Sequence, residues 1–190
     1  MVSSFTALYD ACVLYPAPLR DLLMQLAVTD LFCAKWTDEI HEEWIRNLLE
    51  NRPDLRPEQL ERTRCLMNDN VRDCLVTGYG ELIPALTLPD TKDRHVLAAA
   101  IRSRTDVIVT FNLKHFPDNV LTTYGIDAQH PDEFITHLLN LAAPVVCAAA
   151  KRQRQNLKNP PKTVEEYLAA LERQGLAQTV AGLRPFAELI

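Results

Sequence analysis

Short apolar segments alternate with helical patterns from residue 5 to residue 139, and this alternation constrains the fold more than any other feature of the sequence. FTALY at 5–9 and DVIVT at 106–110 have the length and side chains of buried strands, whereas leucines recur at helical spacing over 18–28. Strands that alternate with helices build a parallel sheet covered by helices. We therefore predict a three-layer α/β/α domain with a central parallel sheet over residues 1–140, and a helical C-terminal extension over residues 141–190.

Size and composition suit this organisation and point to the cytoplasm. A hydrophobic content of 47% over 190 residues is enough for one domain with an appendage. The first residues lack a basic leader, and the apolar stretch at 141–150 is too short to cross a bilayer, so we expect neither export nor a membrane span. The five cysteines lack zinc-ligand spacing and are expected to be buried thiols in a reducing compartment.

Acidic side chains mark the ends and edges of these elements. Asp10 follows the first strand, at the position where open α/β sheets place their ligands. Thr37 is a candidate N-cap for a helix over 38–50. Glu43 borders the apolar side of that helix, whereas Glu42 is easier to leave in solvent. Glu43 is therefore the stronger candidate for a cleft.

A third acidic cluster lies in LPDTKDRHVLAAA. Asp90 and Asp93 are three residues apart at the start of a helix, so both can project from its first turn. Carboxylates that gather at one point repel each other unless a cation neutralises them, and oxygen ligands suit Mg²⁺ or Mn²⁺. Such ions serve phosphate chemistry, so the clusters indicate phosphodiester hydrolysis.

The acidic segments resemble, in order, the motifs of the PIN-domain nucleases over about residues 5–139. FTALYDACVLYP resembles the opening of a PIN domain, whose strand-end aspartate is Asp10 here. TDEIHEEWIRNLL resembles the second motif, in which a glutamate five residues before a leucine is a ligand; this spacing selects Glu43, with Glu42 as the alternative. LPDTKDRHVLAAA resembles the third motif through Asp93, and Asp90 is an added carboxylate.

VIVTFNLKHF resembles the fourth motif of that family, Thr-x-Asp/Asn-x-x-His/Asp-Phe. Here Asn112 takes the acidic place, and Thr110 is a candidate to hold a ligand carboxylate by a hydrogen bond. An amide adds no negative charge. The alternative function is therefore a catalytically weak or inactive PIN-fold module that binds RNA or protein.

The resemblance implies a Mg²⁺- or Mn²⁺-dependent endoribonuclease with Asp10, Glu43 and Asp93 as catalytic residues and Asp90 as a further metal ligand. PIN proteins of this size resemble the VapC-type toxins, which implies an RNA substrate, a cognate antitoxin and a homodimer. A haloacid-dehalogenase-like phosphatase also begins with a strand-end aspartate. That family needs a second aspartate two residues later, where this chain has Cys12.

Charge is uneven along the chain: residues 1–150 carry a net −8, and residues 151–190 carry +3. Candidate contacts to RNA phosphates are basic residues beside the motifs and in the tail, namely Arg94, Lys114, Lys151, Arg152 and Arg154. A solvated helix face is the alternative use of these residues.

Aromatic and histidine side chains offer weaker candidates. Trp36, Trp44 and Tyr79 could stack on bases, although packing in the core is the commoner use of such rings. His95 and His115 are predicted to be structural or surface residues and not general bases.

Overall fold

The computed structural model describes residues 5–190, and its centre is a four-stranded parallel sheet. The strands are β1 (Thr6–Tyr9), β2 (Cys33–Lys35), β3 (Val107–Val109) and β4 (Asp127–Gln129), in the order β2-β1-β3-β4. In the register of the central pair, Ala7 lies opposite Val107 and Tyr9 opposite Val109. These central strands are almost completely buried, which explains their unbroken apolar sequences.

The strand order creates a switch point between β1 and β3. The chain moves from β1 to β2 in one direction and then crosses back to β3 and β4 in the other. Right-handed crossovers that run in opposite directions lie on opposite faces of a sheet, so this order places connecting segments on both sides. The crevice at the carboxyl ends of β1 and β3 is where open α/β sheets bind ligands. The predicted α/β class with a central parallel sheet is confirmed.

Helices make up most of the remaining chain. They are α1 (Ala11–Leu14), α2 (Ala17–Ala27), α3 (Asp38–Asn51), α4 (Pro57–Asn70), α5 (Arg94–Arg102), α6 (Asp118–Leu121), α7 (Pro131–Asn156), α8 (Val164–Glu172) and α9 (Ala177–Leu183). Helix α3 starts as predicted, because the Thr37 hydroxyl accepts a hydrogen bond from Ile40 N at 3.0 Å. Asp90 likewise accepts from Lys92 N at 2.9 Å, at the start of a short 3₁₀ turn (Thr91–Asp93) that leads into α5.

The chain forms two compact units that are each discontinuous in sequence. The first contains the sheet and comprises the described residues up to Tyr15 together with Phe32–His130. The second comprises Pro16–Leu31 and Pro131–Ile190, and therefore α2 with α7, α8 and α9. The boundary predicted at residues 140 and 141 falls inside α7, beside a break at Ala142.

Two tryptophans lie in the core of the first unit. Trp36 and Trp44 have no exposed surface, and their ring nitrogens donate to Asn68 Oδ1 at 2.8 Å and to His41 Nδ1 at 3.0 Å. His41 in turn contacts Asn68 Oδ1 at 3.0 Å. This network links α3 to α4, so both rings pack inside the unit and present no face to RNA.

Helix α7 is long and apolar, and by length and composition it is the one helix among residues 5–190 that could span a membrane. Its backbone leaves the helical region at Ala142 (φ −150°, ψ 64°), which divides it into pieces of about 11 and 14 residues. Each piece is shorter than the roughly 20 residues that a spanning helix needs. Residues such as Phe134, Ile135 and Leu138 are buried in the second unit, as expected for a core helix.

Two details of the fold differ from the sequence-based expectation. Strand β2 was not predicted, because only Ala34 of its three residues is buried and no apolar run marks it. Cys33 and Cys65 are exposed and Cys12 is partly buried, so the expectation that all cysteines are buried holds only for Cys74 and Cys147. No disulfide joins the described cysteines.

Candidate active site

Asp10 occupies the switch point of the sheet and is only 3% exposed. It ends β1 and caps α1: one carboxylate oxygen, Oδ1, accepts from Ala11 N at 2.7 Å. The other, Oδ2, accepts from the Thr110 hydroxyl at 2.6 Å and from the Cys12 thiol at 3.1 Å. Asp10 therefore joins the carboxyl ends of β1 and β3 while its carboxylate stays in one orientation.

Thr110 holds this arrangement from the β3 side. It is fully buried, its hydroxyl donates to Asp10, and the same oxygen accepts from Asn112 N at 2.9 Å. Cys12 Sγ also accepts from Phe111 N at 3.3 Å. Burial and the nearby Asp10 carboxylate raise the pKa of Cys12, so the sulfur is a protonated donor and not a nucleophile.

A second cluster consists of Asp90, Asp93 and His115. Their ligand atoms all lie within 4.8 Å of one another. His115 Nδ1 is 2.7 Å from Asp93 Oδ2 and 4.0 Å from Asp90 Oδ2. His115 was expected to be a structural or surface residue, but the structure places it in the acidic cluster. The signal was present in the sequence, because His115 fills the last polar place of the fourth motif.

Glu43 on α3 pairs with His95, which lies at the start of α5. His95 is 6% exposed, its Nε2 lies 3.5 Å from Glu43 Oε2, and its Nδ1 lies 3.7 Å from Glu39 Oε2. Burial acts to lower the pKa of His95, but the hydrogen bond with Glu43 and the charges of Glu39, Glu43 and Asp10 outweigh it, and the pKa is raised. His95 is thus a buried link between the acidic side chains of α3 and the start of α5.

The carboxylates of the three motifs affect each other electrostatically. Burial raises the pKa of Asp10 despite the hydrogen bonds from Thr110 and Cys12, and the charge of Glu43 raises it further. Burial also raises the pKa of Asp93; the His115 hydrogen bond acts against this, and the charges of Asp10 and Asp90 add to it. Glu43 therefore lies near enough to affect Asp10, and Asp10 near enough to affect Asp93. Among the described residues, the set of ligand atoms within 4.8 Å of one another comprises Asp90, Asp93 and His115 and does not include Asp10 or Glu43.

The basic candidates are divided between the two units. Arg94 and Lys114 belong to the first unit and directly follow Asp93 and Leu113. Lys151, Arg152 and Arg154 lie on α7 in the second unit. Arg154 donates to Lys162 O at 2.9 Å and to Ile190 O at 3.1 Å, so its guanidinium is engaged within that unit. Glu42, the alternative to Glu43, is exposed on α3.

A parallel sheet with a buried strand-end aspartate at its switch point and acidic residues from two further motifs is the arrangement of a PIN-type α/β protein. Residues 131–185 match the family model "VapC50 C-terminal domain". A Mycobacterium tuberculosis protein named "Putative ribonuclease VapC50" is 46% identical over 97 residues, which cover 51% of this chain and 57% of the relative. No solved structure matches the chain. The fold is PIN-like, and these matches show that the chain is similar to VapC-type proteins over part of its length. The match spans little more than half of that relative's length.

Proposed function

We propose that this chain is a divalent-metal-dependent endoribonuclease that hydrolyses RNA phosphodiester bonds. The observation that supports the proposal is the raised pKa of Asp10 and Asp93, caused first by burial and then by neighbouring carboxylates, Glu43 for Asp10 and Asp10 for Asp93. Such a cluster is costly unless a cation neutralises it. The similarity to a protein named as a ribonuclease supports the same reaction.

The donor atoms fit a hard divalent cation. Asp10, Glu43, Asp90 and Asp93 supply carboxylate oxygens, the ligands that Mg²⁺ and Mn²⁺ prefer. A bound ion of this kind would lower the pKa of an attacking water and stabilise charge on the phosphoryl oxygens. If the imidazole of His115 were itself a ligand, the set would suit Mn²⁺ better than Mg²⁺.

The surrounding side chains orient these ligands. Thr110 fixes Asp10 through the 2.6 Å hydrogen bond, and His115 holds Asp93 at 2.7 Å. Hydrogen bonds of this kind to ligand carboxylates set their direction and basicity. Asn112 adds no charge, but its backbone N–H donates to the Thr110 hydroxyl and so supports the same carboxylate.

The test is cleavage of a fluorescent single-stranded RNA by the purified chain with Mn²⁺ or Mg²⁺. Wild type is expected to cut and to stop when EDTA is added. Asp10→Asn and Asp93→Asn are expected to lose about a thousandfold in rate, since metal-ion stabilisation contributes several kcal/mol. Asp118→Asn, an exposed carboxylate in the same unit, serves as the control and is expected to cut like wild type.

The alternative, a PIN-fold module that binds without cutting, gives a different result. RNA binding that is unchanged by EDTA and by Asp10→Asn, with no cleavage under any metal condition, would support that module and overturn the nuclease. The neutral Asn112 is the feature of the site that favours this alternative.

The proposal extends to a toxin that pairs with a cognate antitoxin and forms a homodimer. The resemblance to VapC-type proteins supports both partners. Expression of the chain alone is expected to arrest growth, and a small co-encoded protein is expected to relieve the arrest. Light scattering of the purified chain is expected to give twice the mass of one chain, 21.5 kDa; a monomer at micromolar concentration would contradict the dimer.

A further inference from the structure

A cavity of about 340 Å³ opens at the start of α3, in the same unit as the acidic site. Asp38 and Glu39 line one side, and the loop that carries Gly78 and Tyr79 lines the other. Val76 and Ile83 add apolar surface. The cavity therefore combines an aromatic ring, apolar walls and carboxylates, the features that bind a flat ligand with hydrogen-bond donors on its edge.

The cavity lies next to the proposed cation site. Glu39 precedes Glu43 by one helical turn, so both side chains project from the same side of α3. His95 lies between them, with its two ring nitrogens 3.7 Å from Glu39 Oε2 and 3.5 Å from Glu43 Oε2. A phosphate held near Glu43 would therefore place an attached base within reach of Glu39.

Tyr79 is placed to stack on a base. Its ring is half-buried, and its hydroxyl donates to Glu39 Oε2 at 3.2 Å, which restricts the ring orientation. Stacking on an aromatic ring contributes to binding for every base, because every base has a π-face. Tyr79 alone would thus bind bases without choosing between them.

The carboxylates of Asp38 and Glu39 can discriminate between bases. Asp38 Oδ1 already accepts from Arg64 Nη2 at 2.7 Å, and Glu39 Oε2 from Tyr79. An ionised carboxylate has about four acceptor sites, so both residues retain acceptor capacity. They can bind N–H groups but repel carbonyl oxygens and phosphates. Among RNA bases, only guanine presents two adjacent donors, N1–H and N2–H₂, without an intervening acceptor.

We propose that this cavity is a guanine-binding subsite, in which Glu39 accepts from the N1–H and N2–H₂ edge and Tyr79 stacks on the base. The position of that guanine next to the cleaved phosphate rests on the proposed nuclease function; the binding of the base does not. Cleavage is therefore directed to bonds that flank a guanosine.

The subsite is tested first without metal or cleavage. Guanosine, adenosine, cytidine and uridine are titrated into the full chain in EDTA, with protein amide chemical shifts as the readout. Guanosine is expected to bind tightest and to shift Gly78 and Tyr79. Glu39→Gln is expected to weaken guanosine about 10- to 100-fold, the effect of losing a hydrogen bond to a charged group, and to leave the other nucleosides nearly unchanged. Glu50→Gln, exposed further along α3, is the matched control.

Tyr79→Leu separates stacking from edge recognition. It is expected to weaken all four nucleosides about tenfold while guanosine stays the tightest. Thermal unfolding of each variant checks that it folds like wild type. Equal binding of the four nucleosides, or a guanosine preference that survives Glu39→Gln, would overturn the subsite.

Cleavage then separates this inference from the nuclease proposal. Oligoribonucleotides with one variable position are expected to be cut beside guanosine by wild type and without preference by Glu39→Gln. Cleavage by wild type with no base preference would support the nuclease and contradict the subsite. Glu39-dependent guanosine binding in a chain that cuts no RNA would support the subsite and contradict the nuclease.

Discussion

Asp10 shows at the scale of one residue how this fold places an unfavourable group at the switch point of its sheet. Its carboxylate is buried at the end of β1, and three hydrogen bonds only partly offset the loss of water. The pKa of Asp10 is raised by burial, which means that the folded state favours the protonated form. In the metal-free protein at neutral pH, the ionised Asp10 therefore lowers the free energy of unfolding.

Asp10→Asn is accordingly expected to raise the melting temperature of the metal-free protein at pH 7. The gain is expected to shrink as the pH falls through the raised folded pKa, because wild type then takes up a proton and loses the penalty. Below the unfolded carboxyl pKa, about 3.9, the two proteins should differ little. Melting curves in EDTA from pH 8 to pH 4 measure this; a melting temperature for Asp10→Asn below that of wild type at pH 7 would contradict it.

Thr110 is expected to act on the cation only through Asp10. Thr110→Val keeps the shape of the side chain but removes the 2.6 Å hydrogen bond, so the affinity for Mn²⁺ is expected to fall about 10- to 100-fold. Thr105→Val removes a similarly buried hydroxyl, which pairs with Ser103 at 2.8 Å. It should lower stability to a similar degree and leave the Mn²⁺ affinity unchanged. Equal Mn²⁺ affinities in the two variants would show that Thr110 has no positioning role.

Helix α9 illustrates how an element of the second unit depends on a distant residue. Asp132 is 5% exposed and accepts from Gln178 N at 2.9 Å and Thr179 N at 2.7 Å. Both donors belong to the first turn of α9, so Asp132 is the cap of a helix that begins 45 residues later at Ala177. A sequence-based prediction finds caps such as Thr37 that lie beside their helix, but it has no local signal for this one.

Asp132→Ala is expected to destabilise the second unit by about 1–3 kcal/mol, because the buried N–H of Thr179 and the partly buried N–H of Gln178 lose their acceptor. Hydrogen exchange of the Gln178 and Thr179 amides should accelerate before that of β1 and β3. Glu133→Ala, at the exposed neighbouring position, is the control and should change stability by less than about 0.5 kcal/mol. Unchanged protection of the two amides in Asp132→Ala would contradict the capping role.

At the scale of the whole molecule, local pattern predicted the sheet-containing unit well. Strands β1 and β3 are apolar runs, and α3 has its cap and apolar side in one short segment, so their positions follow from neighbouring residues. The assignment of α2 to the second unit could not be predicted from local sequence. It depends on packing between residues that are more than 100 positions apart, such as Gln153 with Pro18.

The residues of the candidate site were predicted from the same kind of local pattern, and their role as ligands stays a prediction. Its carboxylates follow strand ends and helix starts, where sequence patterns are informative. The partners that tune them were not predicted: His115 beside Asp93 and His95 beside Glu43 are contacts across the fold. Sequence thus indicates the charged groups of such a site, whereas the hydrogen bonds that orient them require coordinates.

Calorimetric titration of Mn²⁺ into the metal-free chain measures whether Asp10, Glu43 and Asp93 bind one cation together. Wild type is expected to give a binding signal with proton release at mildly acidic pH, since Asp10 and Asp93 hold protons more tightly than ordinary carboxyl groups. Each of Asp10→Asn, Glu43→Gln and Asp93→Asn is expected to abolish it, while Asp118→Asn leaves it intact. A wild-type signal that survives all three substitutions, or no signal in wild type, would contradict the account.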